Sequence, residues 1–161
     1  MPDWMPDGKL PNAATENGAF LFLVGIILNQ NISGELAWRG VARLSERTSM
    51  APQHLAEGSA SDLALFIQEA PAVHPFTSAM SRAIFEAAEV VCGKYDGDAR
   101  LLWRQSTSAE EVMSKLTKFR QVGRHKAEVA VFLLTSVYGE LDAEPPSGVE
   151  RACPALLAYL N

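Results

Sequence analysis

Cysteine, histidine and aromatic side chains are scarce in this 161-residue chain: two Cys, three His, and Phe, Trp and Tyr together at 8%. Two cysteines, Cys92 and Cys153, cannot build a disulfide framework, a four-cysteine zinc site or an iron–sulfur cluster. A reduced, cytoplasmic setting is the expectation that follows. His54, His74 and His125 are too scattered for a metal triad, and no His-x-x-x-His or Cys-x-x-Cys spacing occurs. Long apolar runs are also missing. The most apolar stretch, Ala19 to Leu28, is interrupted by Gly25 and is far shorter than the roughly 20 residues that span a bilayer. The N-terminus (MPDWMPDGKLPN) holds acids and three prolines where an export signal needs a basic start and an apolar stretch. Positive charge is the minority, 14 Lys and Arg against 19 Asp and Glu, for a net charge of −5. Overall charge therefore does not draw the molecule to nucleic acid or to an anionic membrane, although a local groove can still carry the opposite sign. Neither an internal repeat, a low-complexity tract nor a glycine-rich nucleotide loop is present.

What the chain does have is 48% apolar residues against 20% charged ones. Disorder is excluded, and the length suits one compact unit. Residues 1–13 read as an extended N-terminal arm, which Trp4 and Met5 could pin, and residues 14–161 as a single all-α domain. Ala19 to Asn29 is apolar nearly all round, the pattern of a helix buried on most sides, with Asn17 as its N-cap. Ser33 caps a second helix reaching about Leu44. Pro52–Glu57 and Ser61–Glu69 predict two short helices, Pro71 and Pro75 frame a turn around His74, and Thr77 to Tyr95 predicts a longer helix. Ser108 with Glu111 forms a capping box for a helix through Lys118. After the four-residue hairpin Arg120-Gln121-Val122-Gly123, another helix runs from Arg124 to Tyr138 and stops at Gly139. Asp142 to Gly148 is a loop, and Cys153 to Leu160 a last short helix.

Leu116 to Ala127 (LTKFRQVGRHKA) is the informative stretch. The start of a helix offers unpaired N–H groups and the positive end of its dipole, a seat for one phosphate. Around this one lie Lys115, Lys118, Arg120, Arg124 and Lys126, five of the 14 basic residues, with no acid between positions 115 and 126. Such a cluster suits a phosphodiester backbone; a solvated corner whose charges serve solubility is the plain alternative.

The same residues resemble the helix-hairpin-helix of the HhH-GPD superfamily of base-excision DNA glycosylases, whose pattern runs Leu-x-x-Leu-Pro-Gly-Val-Gly-x-x-x-Ala. Phe22 to Leu44 is similar to that superfamily's buried helix with a polar Gln/Asn end. Pro75 to Ile84 is similar to its turn followed by a Lys/Arg-Ala-x-x-Ile helix. All three fall in family order over about residues 15–140, nearest to a small bacterial branch without an iron–sulfur cluster. The resemblance implies a helical bundle of two small lobes, with the helix-hairpin-helix at about 108–138. It further implies damaged double-stranded DNA as partner and base removal by flipping and hydrolysis, the work of a monofunctional DNA N-glycosylase. A catalytically silent DNA-binding module and a helical partner-binding protein unrelated to DNA are the alternatives.

Site roles follow from the resemblance residue by residue. Lys118, Arg120, Gln121, Val122, Gly123, Arg124, His125 and Lys126 would hold the DNA backbone. Asn31, or Gln30 in a register shifted by one, would fill the gap left by an extruded nucleotide; a C-terminal helix cap is its plain reading. Asp142, with Glu140 and Glu144 beside it, would stabilise oxocarbenium-like charge and orient water; otherwise it is an ordinary loop acid. Arg120-Gln121 stands where the family has Pro-Gly, so the hairpin is either strained or reshaped. The family's Schiff-base lysine position matches His125. Lys126 is one residue on, about 100° round the helix, so lyase activity is not expected. No metal or cofactor is expected either; the hairpin's carbonyl oxygens could take a monovalent cation, against which Gln121 argues. Trp38 could line a base pocket or simply pack, while His74 reads as a turn residue and Cys92 as core.

Overall fold

A computed structural model describes residues 2–160; Met1 and Asn161, the outer ends of the expected arm and domain, lie outside the described residues. Those described residues form nine α-helices and no β-strand: α1 (Glu16–Leu28), α2 (Gly34–Arg47), α3 (Pro52–Glu57), α4 (Ala60–Gln68), α5 (Thr77–Lys94), α6 (Leu101–Arg104), α7 (Ala109–Leu116), α8 (Arg124–Phe132) and α9 (Val149–Ala152). A π-helical turn (Leu133–Val137) extends α8, and a 3-10 turn (Pro154–Tyr159) follows α9. The all-α class is as expected. No helix among the described residues is long and apolar enough to cross a membrane.

The run that is apolar all round becomes the central helix. Every residue of α1 from Gly18 to Leu28 is buried, because α2, α5 and α8 pack around it. Phe22 sits at the hub of an aromatic cluster. It stacks on Trp38 of α2 at 6.0 Å and meets Trp103 of α6 and Tyr138 edge-on at 5.9 and 5.4 Å. Trp38 lies directly over Gly25, where any Cβ would collide with the indole ring; the glycine that interrupts the apolar run is the seat for that ring. Trp38 is therefore a packing residue. The buried side chains form one continuous cluster from Leu10 to Leu156, so the two small lobes expected share a single core.

Helix starts follow local chemistry. Ser33 and Ser108 accept from the N–H groups of Leu36 and Glu111 at 3.2 and 3.1 Å, as capping residues do. The Glu111 carboxylate reaches back to the Thr107 N–H at 2.7 Å, one amide earlier than the usual box. At α1 the cap is Thr15 rather than Asn17: its hydroxyl accepts from the Gly18 N–H at 2.9 Å and donates to Asp3 at 3.1 Å. That second bond belongs to an arm that doubles back instead of extending. An Asx turn puts the Lys9 N–H on Asp7, Trp4 bridges to Pro11, and the Tyr138 hydroxyl donates to the Pro11 carbonyl at 2.7 Å. The arm is thereby sewn to the body.

Arg47, the last residue of α2, organises the chain between α4 and α5. The Arg47 guanidinium donates to the carbonyls of Phe66, Glu69 and Pro71 at 2.7, 2.9 and 2.8 Å. It thus satisfies the C-terminal carbonyls of α4 and holds the turn that carries His74.

Candidate functional site

The hairpin is built on two apolar anchors. After α7 ends, the Phe119 N–H donates to the Leu116 carbonyl at 3.1 Å and the Val122 N–H to the Phe119 carbonyl at 3.2 Å. Phe119 and Val122 are buried, while Lys118, Arg120, Gln121, Gly123, Arg124 and His125 face outward. Val122 can thus offer a ligand only its backbone. Gln121 sits in the left-handed region, φ 68°, a backbone conformation that glycine adopts freely and that strains a residue with a side chain. Gly123 precedes α8 in an extended conformation, and no side chain caps that helix start. Space around the Gly123 Cα is open.

Lys126 departs from the expected grip on DNA. It is 8% exposed and turned inward, donating from Nζ to the carbonyls of Ile27 and Gln121, both at 2.8 Å. One helical position past the exposed His125, the side chain points into the body. Burial pushes its ammonium pKa down to about 8. The first of those carbonyls lies in the last turn of α1 and the second in the hairpin, so one side chain ties the two segments together.

His74 completes the arrangement. It is buried, with its Nε2 3.0 Å from the Gln30 carbonyl oxygen, while Nδ1 accepts from the Phe76 N–H at 3.0 Å. Since a carbonyl can only accept, the ring is the Nε2–H tautomer. Burial holds its pKa below the ordinary value, and the Lys126 charge acts in the same direction. His74 and Lys126 together satisfy carbonyls at the C-terminal end of α1. Beyond them, Gln30 is half-buried and Asn31 is exposed at φ 60°. Phe76, 43% exposed, packs against the His74 ring with 5.5 Å between centroids. The lone histidine between prolines thus positions the Asn31 loop. Only the fold could reveal that, because its partner lies 44 residues away.

Charges around the hairpin are more balanced than the local sequence implies. Arg120 is paired with Glu86 of α5, and Arg124 with Glu110 of α7 at 3.2 Å. Lys115 donates to the Ser106 hydroxyl at 2.7 Å, at the end of α6. Among the described residues, Lys118 and His125 have neither ion pair nor side-chain hydrogen bond. Glu86 and Glu110 are the site acids that spacing could not find, since both come from other helices.

Asp142 stands apart. Glu140 is taken by Trp103 and Arg104, at 3.2 and 3.0 Å, whereas Asp142 and Glu144 are exposed. The N–H groups of Glu140 and Leu141 fold back onto the Leu134 carbonyl, ten residues along the helix from the hairpin end, or about 15 Å. No hydrogen bond among the described residues joins Asp142 to the hairpin or to Asn31. No group of three or more metal-ligating side chains occurs among them either. Comparison with known proteins found no match to a family model, a curated protein or a solved structure.

Proposed function

We propose that this chain is a helix-hairpin-helix DNA-binding protein of the HhH-GPD kind, engaging damaged duplex DNA in base-excision repair. One strand's phosphate would sit at the N-terminus of α8, which no side chain caps, with Lys118 and Arg124 beside it. Asn31 would fill the space of an extruded nucleotide. The observation that carries the reading is the buried ammonium of Lys126, which fixes the exposed hairpin and the root of the Asn31 loop as one surface. Exposed ion pairs contribute only about 0–1 kcal/mol, so Arg124 can exchange Glu110 for a phosphate at small cost.

Anisotropy titrations of lesion-containing and intact duplexes across a salt series test this. Affinity should fall steeply with salt, and Lys118→Ala and Arg124→Ala should each reduce the slope by about 0.9. Binding indifferent to salt would end the proposal.

A second reading, hydrolytic base excision, takes Asp142, an exposed carboxylate in the loop after α8, as its catalytic group. Single-turnover assays on uracil, alkylated purine, 8-oxoguanine and oxidised pyrimidine duplexes compare Asp142→Asn with the parent. Release that the substitution leaves unchanged removes Asp142 from the chemistry. Binding without release on any lesion leaves the DNA-binding module.

A further inference from the structure

Beside the hairpin lies a cleft of about 460 Å³, between the first turns of α4 and α5. Its polar lining is Ser61, Ser78, Ser81, Arg82, Arg120 and Gln121, and among the described residues no carboxylate lines it. Two arginines and three serines thus line one concavity of a molecule with net charge −5. Arg82 is exposed and has no ion-pair partner among the described residues. Ser81 is 3% exposed; its hydroxyl donates to the Ser78 carbonyl at 3.1 Å, which fixes its orientation in the wall. Arg120 and Gln121 belong to the hairpin itself, so the cleft is continuous with the surface proposed to grip DNA. Glu86, one helical turn beyond Arg82 on α5, already holds Arg120. That carboxylate occupies a guanidinium whose planar fork suits a phosphate equally well.

We propose that this cleft is a second phosphate-binding site, in which Arg82 and Arg120, with the Ser61 and Ser78 hydroxyls, hold a phosphodiester group of the strand that crosses the hairpin. The inference rests on the DNA-binding reading above and adds the path of the strand beyond the α8 amides. Glu86 acts in it as an internal competitor, released from Arg120 when the phosphate arrives.

Duplex binding by the full chain, measured over a salt series for the parent, Arg82→Ala, Glu86→Gln and Glu89→Gln, tests it. Glu89 lies on the same helix and does not line the cleft, so its variant measures the effect of removing one negative charge anywhere on α5. Circular dichroism establishes that each variant is folded. Arg82→Ala should lower the salt slope by about 1 and weaken binding roughly tenfold at fixed salt, the loss of one charge-assisted contact. Glu86→Gln should tighten binding and steepen the slope, and do both more than Glu89→Gln. An unchanged slope in Arg82→Ala, while Lys118→Ala still flattens it, overturns the cleft and leaves the hairpin reading standing. Glu86→Gln behaving like Glu89→Gln also overturns it. A parent chain with no salt-dependent duplex binding removes both.

Discussion

Lys126 brings its ammonium group to two carbonyl oxygens, from residues 99 and 5 positions away in the chain. Lys126→Met keeps the apolar stem and strands both acceptors, which should cost about 2 kcal/mol or more in urea unfolding at pH 7. The folded pKa of about 8 lies below the ordinary 10.5. Between those values the unfolded chain binds more protons, so the Lys126 contribution to stability rises with pH across that window. A neutral amine still has two protons to donate, so both bonds survive the titration. The stability gap between parent and Lys126→Met should therefore widen from pH 8 towards pH 10, and a gap that narrows would contradict the burial of the group. Comparing the two proteins cancels the tyrosines, whose raised values act in the opposite direction near pH 10. Gln121 offers a second residue-scale test. Left-handed backbone costs a non-glycine residue about 1–2 kcal/mol, against about 0.5–1 kcal/mol of extra chain entropy for glycine. Gln121→Gly should accordingly raise the unfolding midpoint, by up to about 1 kcal/mol of stability.

At the scale of elements, α1 is decided by its glycine as much as by its apolar residues. Gly25→Ala drives a methyl group into the Trp38 ring and should lower stability by about 3 kcal/mol, since the indole is locked between Gly25 and Phe22. Gly34→Ala, in the first turn of α2 with nothing near its Cα, should instead be neutral or gain up to about 1 kcal/mol. Thermal melts of the two variants separate the close approach from the general effect of removing a helical glycine. Much of the element order was legible, because caps and periodicity are local: Ser33, Ser108 and the apolar run of α1 each announce themselves within a few residues. The α1 cap was not, since Thr15 is held by Asp3 across a folded arm. Nor was the change of α8 into a π-turn at Leu133, where the Thr135 hydroxyl donates to the Val131 carbonyl at 2.9 Å.

For the whole molecule, one continuous core predicts one unfolding transition. Tryptophan fluorescence, reporting on Trp4 in the arm and on Trp38 and Trp103 in the core, should coincide with far-ultraviolet circular dichroism in urea. Separate midpoints would divide the core that joins the helices. Composition, the helical class, much of the order of the elements and the place of the hairpin were set by the amino-acid sequence, because these depend on neighbours a few positions apart. Which charges remain free was decided only by the tertiary structure. Five basic residues cluster along the chain near the hairpin, yet Glu86 and Glu110 arrive from other helices, Lys115 turns to α6, and Lys126 turns into the core. Charge acts through space and not along the chain, so packing alone determined which side chains meet.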